Sequence, residues 1–510
     1  MALNNISFVL GQGGLGRPLP GEDHISGLIF YTVGTLPAGF SSTSPIKQLL
    51  SVADAENAGI LNDYNDETAA TATYQVTAVG SIGDEVTISV ADPYNSSVIL
   101  GSYTQAASDS TPANVAAKIA SAINANTSST GYSSTVASAT ITIKARPGLG
   151  IAINSGTPLF VALSTGATIT GELTQFSGGV GSKQAVWHYH ISEYFRIQPQ
   201  GNLYVGIFTV PTTYTFVEIA AVQNFAGGKL RQVGIYKDSS AFATADITAI
   251  QQQCAALTAA HKEVIALYAA DISAVTDLAT LSDLSQLSAH YCSAVISQDG
   301  VAVGSRLFAA CGKSITMLGA LLGAVSLSAV SESIAWPAKF NISNGAECDT
   351  IAFANGQLLA DTSISDNLLT LLQNNRYIFM RKFVGVAGSY FNDNSTSIAT
   401  TSDYAYISDN RTIQKATRGV YTALVPALNS PITLNTNGTI ADYTAAYFQT
   451  QAEEPLAQML RDGDLSDYSV AVNPAQNVLG TSKVTIAISL LPKGTARNIV
   501  VNIGFNVTIN

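Results

Sequence analysis

The chain contains 510 residues, of which 47% are hydrophobic and only 12% are charged, and its formal net charge is −11 at pH 7. This length is too great for one hydrophobic core and predicts roughly three or four domains. The acidic balance excludes the basic surface that binding to nucleic acid requires. So low a charged fraction favours a subunit whose surface is largely covered by other subunits.

The sequence also argues against membrane insertion, secretion and thiol chemistry. No apolar run reaches the length of a membrane-spanning helix, and the first residues lack the positive region of a secretory signal. The four cysteines are far apart and lack CxxC spacing, so we expect reduced, buried thiols at Cys254, Cys292, Cys311 and Cys348.

The first 70 residues combine an irregular segment with a strand and a predicted helix. We expect an arm over residues 1–30, because alternate positions near its start are apolar, namely Ile6, Phe8 and Leu10. SGLIFYTV then reads as a strand. Ser44 and Pro45 have the features of a cap and first turn, which predicts a helix over IKQLLSVADAENAG that ends at Gly59.

A block rich in Thr, Ser, Ala and Gly extends from residue 71 to residue 179. Most of it reads as short strands separated by turns. One helix is predicted over TPANVAAKIASAINAN, with Thr111 as its cap and Pro112 in its first turn. We therefore expect a β-rich inserted domain that interrupts the main domain.

From residue 186 to residue 342, nearly continuous apolar strands alternate with helices, a pattern that predicts a mostly parallel sheet. Further on, ISDNRTIQKATRGVYTALVPAL reads as a helix, and helical stretches surround Pro455. The expected fold class is a multidomain α/β protein with a central, mostly parallel α/β core. A β-rich inserted domain and extended N- and C-terminal arm strands complete this expectation.

The chain closes with a β-prone ribbon over KVTIAISLLPKGTARNIVVNIGFNVTIN. Asparagine and threonine side chains occupy one phase of its last segment. Apolar side chains occupy the other phase, at Ile499, Val501, Ile503, Phe505, Val507 and Ile509. This period of two predicts a strand with one face that must be buried.

The candidate catalytic and ligand-binding motifs lack the neighbouring residues that their function requires. GQGGLG matches a dinucleotide fingerprint but runs into Arg17-Pro18, which cannot continue as a helix. Trp187-His188-Tyr189-His190 predicts two imidazoles on one face of a strand, without the further ligands that zinc needs. We expect no enzyme activity, no cofactor and no metal, and a scattered Ser-His-Asp triad stays open as an alternative.

A charged pattern remains on the predicted helix of the C-terminal part. Arg411, Lys415 and Arg418 stand at i, i+4 and i+7, which predicts an exposed basic stripe. The stripe can meet an acidic partner, and a merely solvated helix face is the alternative. A complementary acidic region follows at Glu453, Glu454, Asp462, Asp464 and Asp467. Contact with a tube or with a neighbouring subunit is the hypothesis for both groups.

The C-terminal part contains an aromatic strand with an Asn/Asp turn at residues 390–394 and a Tyr-Ile…Arg helix start at residues 406–411. It closes with a pattern of Pro492, Gly494, Arg497 and Ile499. In these features it resembles the C-terminal domain of contractile tail sheath proteins, which build the sleeve around the tube of contractile-tailed phages and related injection machines. PGEDHISGLIFY and LLSVADAENAGI resemble one subgroup of phage sheaths.

The resemblance implies a helical sheath of many copies in the virion tail, assembled in the host bacterial cytoplasm. Its terminal arms would add strands to a neighbour's sheet. The implied partners are the tail tube, baseplate and tail terminator proteins, without direct nucleic acid contact or membrane insertion. Another tail, baseplate or surface-layer structural protein is the alternative, besides the hydrolase.

The expected division of the chain follows the same resemblance. Residues 1–30 form the N-terminal arm, and residues 31–70 with 180–342 form the α/β sheath core. Residues 71–179 form the insertion, which faces outward. Residues 343–482 form a C-terminal sheath domain that faces the tube, and residues 483–510 form the C-terminal arm strands.

Overall fold

The computed structural model describes residues 22–237 and 240–505. The protein is mixed α/β with several separate sheets. Its backbone contacts divide it into two units. The large unit holds residues 24–327 and 334–402, and the small unit includes residue 23, residues 328–333 and residues 403–505.

The strands of the large unit are β1 (Ile25–Thr32), β2 (Ile46–Leu49), β3 (Thr71–Ala78), β4 (Glu85–Asp92), β5 (Ser96–Thr104), β6 (Ser133–Ala137), β7 (Thr140–Lys144), β8 (Leu159–Leu163), β9 (Thr170–Ser177), β10 (Asn202–Thr209), β11 (Gln232–Tyr236), β12 (Ile265–Ala269), β13 (Cys292–Val295), β14 (Ser297–Asp299), β15 (Ile351–Phe353), β16 (Met380–Phe383) and β17 (Val386–Phe391). Its α-helices are α1 (Val52–Asn57), α2 (Pro112–Ala125), α3 (Thr127–Thr130), α4 (Lys183–Ile197), α5 (Glu218–Phe225), α6 (Thr244–Ala259), α7 (Val303–Cys311), α8 (Leu318–Leu327) and α9 (Asp366–Asn374). The small unit contains α10 (Ile407–Leu424), α11 (Asp442–Asp462), β18 (Leu465–Val472), α12 (Val478–Thr481) and β19 (Ile486–Pro492).

A six-stranded sheet in the order β13-β12-β11-β1-β10-β2 forms the centre of the large unit. All neighbouring strands are parallel except β2, which runs antiparallel to β10 at the edge. Every residue of β1, β11 and β12 is buried, as expected of parallel strands covered on both faces. The expectation of a mostly parallel central sheet is confirmed.

The five parallel strands follow the order 2-1-3-4-5 when they are numbered along the chain, which is the order of flavodoxin-like sheets. In such sheets the order reverses at one point, and the crevice at the carboxyl ends of the strands there is the usual place for a ligand. The carboxyl ends of these strands are therefore the expected position of a ligand-binding site.

The strands between β2 and β10 in the chain form two further sheets of the large unit. One is four-stranded, in the order β6-β7-β3-β9, and the other is three-stranded, in the order β5-β4-β8. Buried residues of this region form a hydrophobic cluster, from Ala70 to Phe176. Helix α2 begins as expected, because the Thr111 side chain accepts a hydrogen bond from the Asn114 amide and Pro112 stands in the first turn.

In the small unit, α10 packs against α11, and α11 packs against β18 of the antiparallel pair β18–β19. Ala416, Leu456 and Leu465 belong to the apolar cluster between these elements. Pro455 lies inside α11, which continues through it as one helix where separate stretches were expected.

Two secondary-structure predictions are wrong. Residues 46–49 form β2 rather than a helix, because they pair with β10, and the helix begins only after Ser51 caps the Asp54 amide. Residues 187–190 lie in helix α4 rather than in a strand. There the Ser182 side chain accepts a hydrogen bond from the Ala185 amide and caps the helix.

Candidate interaction site

The ribbon that follows β19 exposes a row of large apolar side chains. Residues 493–505 have neither helix nor strand assignment. The exposed fractions are 81% for Ile499, 75% for Val501, 94% for Ile503 and 113% for Phe505. Contiguous exposed apolar surface of this kind marks a site of interaction.

The remaining predicted arm residues lie outside the described residues. They are Val507 and Ile509 at the end of the chain, and Ile6, Phe8 and Leu10 near its start. The strand predicted over residues 498–510 stays a prediction.

An apolar groove lies beside β19 in the small unit. Its volume is about 540 Å³, and its lining includes Leu424, Phe448, Val484 and Ile486. The sheet beside it consists of β18 and β19 among the described residues. A two-stranded sheet presents backbone donors and acceptors at its edges, which another strand can use.

The basic residues of α10 do not form the exposed stripe that the sequence predicts. Arg411 is only 3% exposed, and the side chains of Lys415 and Arg418 are 20% and 13% exposed. They point into a polar cluster of the small unit, because acidic groups distant in sequence neutralise them there. The prediction of an exposed stripe is wrong.

Two carboxylates complete this cluster. Lys415 Nζ lies 3.0 Å from Asp23 Oδ2 and 2.7 Å from Asp464 Oδ2. Arg418 Nη2 lies 3.2 Å from Asp23 Oδ1. Arg411 Nη1 donates to Ser328 Oγ at 2.7 Å, and its Nη2 donates to the carbonyl of Asp23 at 3.3 Å.

The charges of the cluster stabilise one another. Burial alone would raise the pKa of Asp23, but Lys415, Arg411 and Arg418 lower it below its ordinary value. Burial alone would lower the pKa of Lys415, but Asp23 and Asp464 raise it. Both groups therefore hold their charged forms across neutral pH.

The other predicted acidic residues stay apart from this cluster. Glu453 accepts a hydrogen bond from Gln449 one turn away on α11, and Glu454 is exposed. Of the acidic residues named as contacts, Asp464 is the one that the structure brings to the basic side chains of α10.

A further cation lies where the ribbon begins. The guanidinium of Arg497 lies 3.4 Å from the ring centroid of Tyr406, the residue immediately before α10. Such a cation–π contact attracts through the quadrupole of the ring. The roles of Asp23, Ser328 and Tyr406 were missed from the sequence, since no local pattern connects residues so far apart in the chain.

A buried ion pair lies just past the carboxyl end of β11. Lys237 Nζ, just after β11, lies 2.5 Å from Asp246 Oδ2, and the Tyr268 hydroxyl donates to the same carboxylate at 2.7 Å. All three side chains are buried. The ammonium also lies 4.9 Å from the ring centroid of Tyr214. These groups satisfy one another where a flavodoxin-like sheet would hold a ligand.

The two histidines of the predicted pair have different surroundings. His188 Nε2 lies 3.1 Å from a Glu56 carboxylate oxygen, whereas His190 is fully buried. In the part of the chain that the structure describes, no group of three or more His, Cys, Asp or Glu side chains could hold a metal ion. Nor does any helix among residues 22–237 and 240–505 have the length and apolarity to cross a membrane.

The cysteines are free, and three of them are buried as expected. Cys311 is the exception, because its side chain is half-buried. Burial raises the pKa of the Cys254 thiol to about 12, so this thiol is neutral and a poor nucleophile at physiological pH.

The fold and this site define a two-unit α/β protein whose small unit has an exposed apolar ribbon and a partly buried ion cluster. The chain belongs to the DUF2586 family. The N-terminal domain of that family matches residues 3–395, and its C-terminal domain matches residues 403–510. No curated protein is significantly similar to the chain in sequence.

The solved structures to which the chain is similar include sheath proteins of contractile injection systems. The contracted helical sheath of the anti-feeding prophage is 16% identical with a TM-score of 0.44, over 62% of this chain and 81% of that chain. The contracted sheath of the extracellular injection system PVC is 14% identical with a TM-score of 0.39, over 63% and 80%. A sheath tail protein from Listeria innocua is 8% identical with a TM-score of 0.37, over 93% and 96%.

Proposed function

We propose that this chain is the structural subunit of a contractile tail sheath. It polymerises around the tail tube by exchanging terminal strands between copies, and it contracts to drive the tube through the host envelope for genome delivery. The observation that carries the proposal is the exposed apolar row from Ile499 to Phe505. The resemblance of the sequence to the sheath family supports it.

The physics of the ribbon suits strand addition. An extended segment gains affinity from main-chain hydrogen bonds to a sheet edge, and its alternate side chains give specificity by filling pockets. Each apolar side chain that becomes buried contributes about 1.5–3 kcal/mol. The groove beside β19 offers such pockets to the ribbon of a second copy, next to the open edges of the β18–β19 sheet.

In this proposal, the terminal arms keep neighbouring copies joined while the bodies of the subunits rotate. The extended sheath is then metastable, and new contacts between bodies release energy on contraction. Residues 343–482 face the tube and residues 71–179 face outward. The tail tube, baseplate and tail terminator proteins are the partners, and the virion tail, assembled in the host cytoplasm, is the location.

Deleting residues 498–510 tests the proposal directly. We expect the truncated chain to keep the circular dichroism and thermal unfolding of the full chain, because the deleted residues that the structure describes are exposed. We also expect it to form no tubes in electron micrographs, whereas the full chain forms wide hollow tubes. Normal tubes from the truncated chain would contradict strand exchange.

The control for assembly type is the full chain itself. Flat lattices or closed rings in place of hollow tubes would favour another tail, baseplate or surface-layer protein. Labelling of one serine by an active-site hydrolase probe would favour the hydrolase.

A further inference from the structure

Contacts to both ends of the chain converge on one helix of the small unit. Arg497, at the start of the apolar ribbon, stacks on Tyr406 immediately before α10. Asp23, which follows the N-terminal segment by sequence, binds Lys415 and Arg418 in the middle of α10. Asp464, which directly precedes β18, shares the same lysine.

The ammonium of Lys415 is the hub of this arrangement. It lies within 3.0 Å of two carboxylates, that of Asp23, which precedes α10 in the sequence, and that of Asp464, which follows it. These two carboxylates must therefore lie close together. Without a cation between them, the two like charges would repel in a site of low dielectric. Hydrogen bonds to charged groups in partly buried sites are also the stronger ones.

Arg411 adds a second level of fixation. It is buried, and it donates both to the Asp23 carbonyl and to Ser328. Backbone as well as side chain is therefore held at residue 23. A side-chain ion pair alone would leave the direction of the chain free, whereas this combination restrains it.

We propose that α10 is a positioning element that fixes the chain at two exit points, Asp23 and Arg497, beyond which the two terminal segments continue in the sequence. Tyr406, Arg411, Lys415 and Arg418 are its positioning residues. The consequence for assembly rests on the proposed function: when both exits are set on one rigid helix, every copy presents its two strands at the same spacing. A neighbouring copy can then receive one strand while it donates another. The residues at which the two strands begin need not become ordered first.

The test uses the full chain with Lys415→Met and, separately, Asp23→Asn. Hydrogen–deuterium exchange of the unassembled protein is measured at the amides of residues 22–24 and 463–466. We expect exchange there to become about tenfold faster, the size of effect that follows from losing one charge-assisted hydrogen bond. Exchange within α11 and β11 should stay unchanged. Tube formation should fall in parallel.

Two further variants sharpen the result. Lys415→Arg keeps the positive charge, so it should retain both the slow hydrogen exchange and the tube formation of the unmodified chain. Glu172→Gln removes one exposed charge from β9 of the large unit and should change neither. Asp23→Asn is nearly isosteric, so hydrogen exchange can still be measured in this variant if Lys415→Met folds poorly.

Unchanged exchange at these amides in the two test variants would overturn the proposal. Faster exchange with undiminished tube formation would also overturn it, because the exits would then need no fixed position. Failure of the unmodified chain to form tubes would contradict the proposed function instead, and the exchange measurement reports on the anchor independently of that outcome.

Discussion

His190 is a buried titratable residue without a polar partner. It lies in α4 and is fully buried, and its ring lies 4.9 Å from that of Tyr236 and 6.1 Å from that of Phe30. Neither ring nitrogen has a hydrogen-bond partner among the described residues. Burial lowers the pKa of His190 to about 3 from its ordinary value of 6.5. The folded protein therefore keeps this imidazole neutral.

This histidine makes the large unit sensitive to acid. Between pH 6.5 and about 3 the unfolded chain binds a proton at His190 that the folded chain does not bind. Stability from this group is therefore complete above pH 6.5 and is lost as the pH falls, by about 1.4 kcal/mol per pH unit. We predict that His190→Leu weakens this dependence between pH 6.5 and 4.5 in urea unfolding followed by the fluorescence of buried Trp187.

The matched control is His188→Gln, two residues earlier on the same helix. It should keep the steep acid dependence of the unmodified chain, since it leaves His190 in place. An unaltered slope in His190→Leu would show that another group causes the loss of stability in acid.

At the scale of elements, the close contact between α4 and α8 depends on glycine. A Cβ atom on Gly319 would lie 2.1 Å from the carbonyl oxygen of His190, and one on Gly323 would lie 2.8 Å from the carbonyl oxygen of Tyr194. These obstacles are backbone atoms of α4, which cannot move aside as a flexible side chain can. The two helices can approach this closely only because both positions lack a side chain.

We predict that Gly319→Ala destabilises the large unit by about 3 kcal/mol, the upper range for overpacking a core. Both tryptophans, buried Trp187 and half-exposed Trp336, lie in this unit. Urea unfolding followed by their fluorescence therefore measures the effect. Leu327→Ala, at the more exposed end of α8, is the control and should cost much less. Equal stabilities of the two variants would argue against the close helix contact.

The alternation of apolar and polar side chains along the ribbon can be tested without deleting the ribbon. Val501 and Ile503 share the apolar phase, whereas Asn502 stands on the opposite phase, and all three are exposed in the single chain. An incoming strand buries one phase against its acceptor and leaves the other toward solvent. The two phases should therefore tolerate a charge very differently.

We predict that the double variant Val501→Asp, Ile503→Asp abolishes tube formation in electron micrographs and leaves thermal unfolding unchanged. Asn502→Asp introduces a charge between the same two positions and should still form tubes. Equal loss of assembly in both variants would mean that the ribbon does not bind through one face.

At the scale of the whole molecule, low charge and an open ribbon belong together. Only 12% of the residues are charged, and part of that charge is used inside the small unit by Asp23, Lys415 and Asp464. A surface this poor in charge gives little protection against association. That composition is consistent with a chain that works as one copy among many.

The sequence by itself determined the features that depend on neighbours along the chain. The cap at Thr111 and the proline after it define α2, and continuous apolar runs define β11 and β12, because these signals act within a few residues. The alternation from Ile499 onward is equally local, although its partner strand stays a prediction.

Only the tertiary structure decided the features that depend on distant partners. Residues 46–49 form a strand because β10 offers an edge to them. The basic side chains of α10 are buried or partly buried because they contact distant residues, among them Asp23, which lies 388 positions before Arg411. A helical period shows which side chains share a face, but it does not show what covers that face. The sequence therefore predicted an exposed basic face on α10, whereas in the folded protein these side chains contact other residues of the small unit.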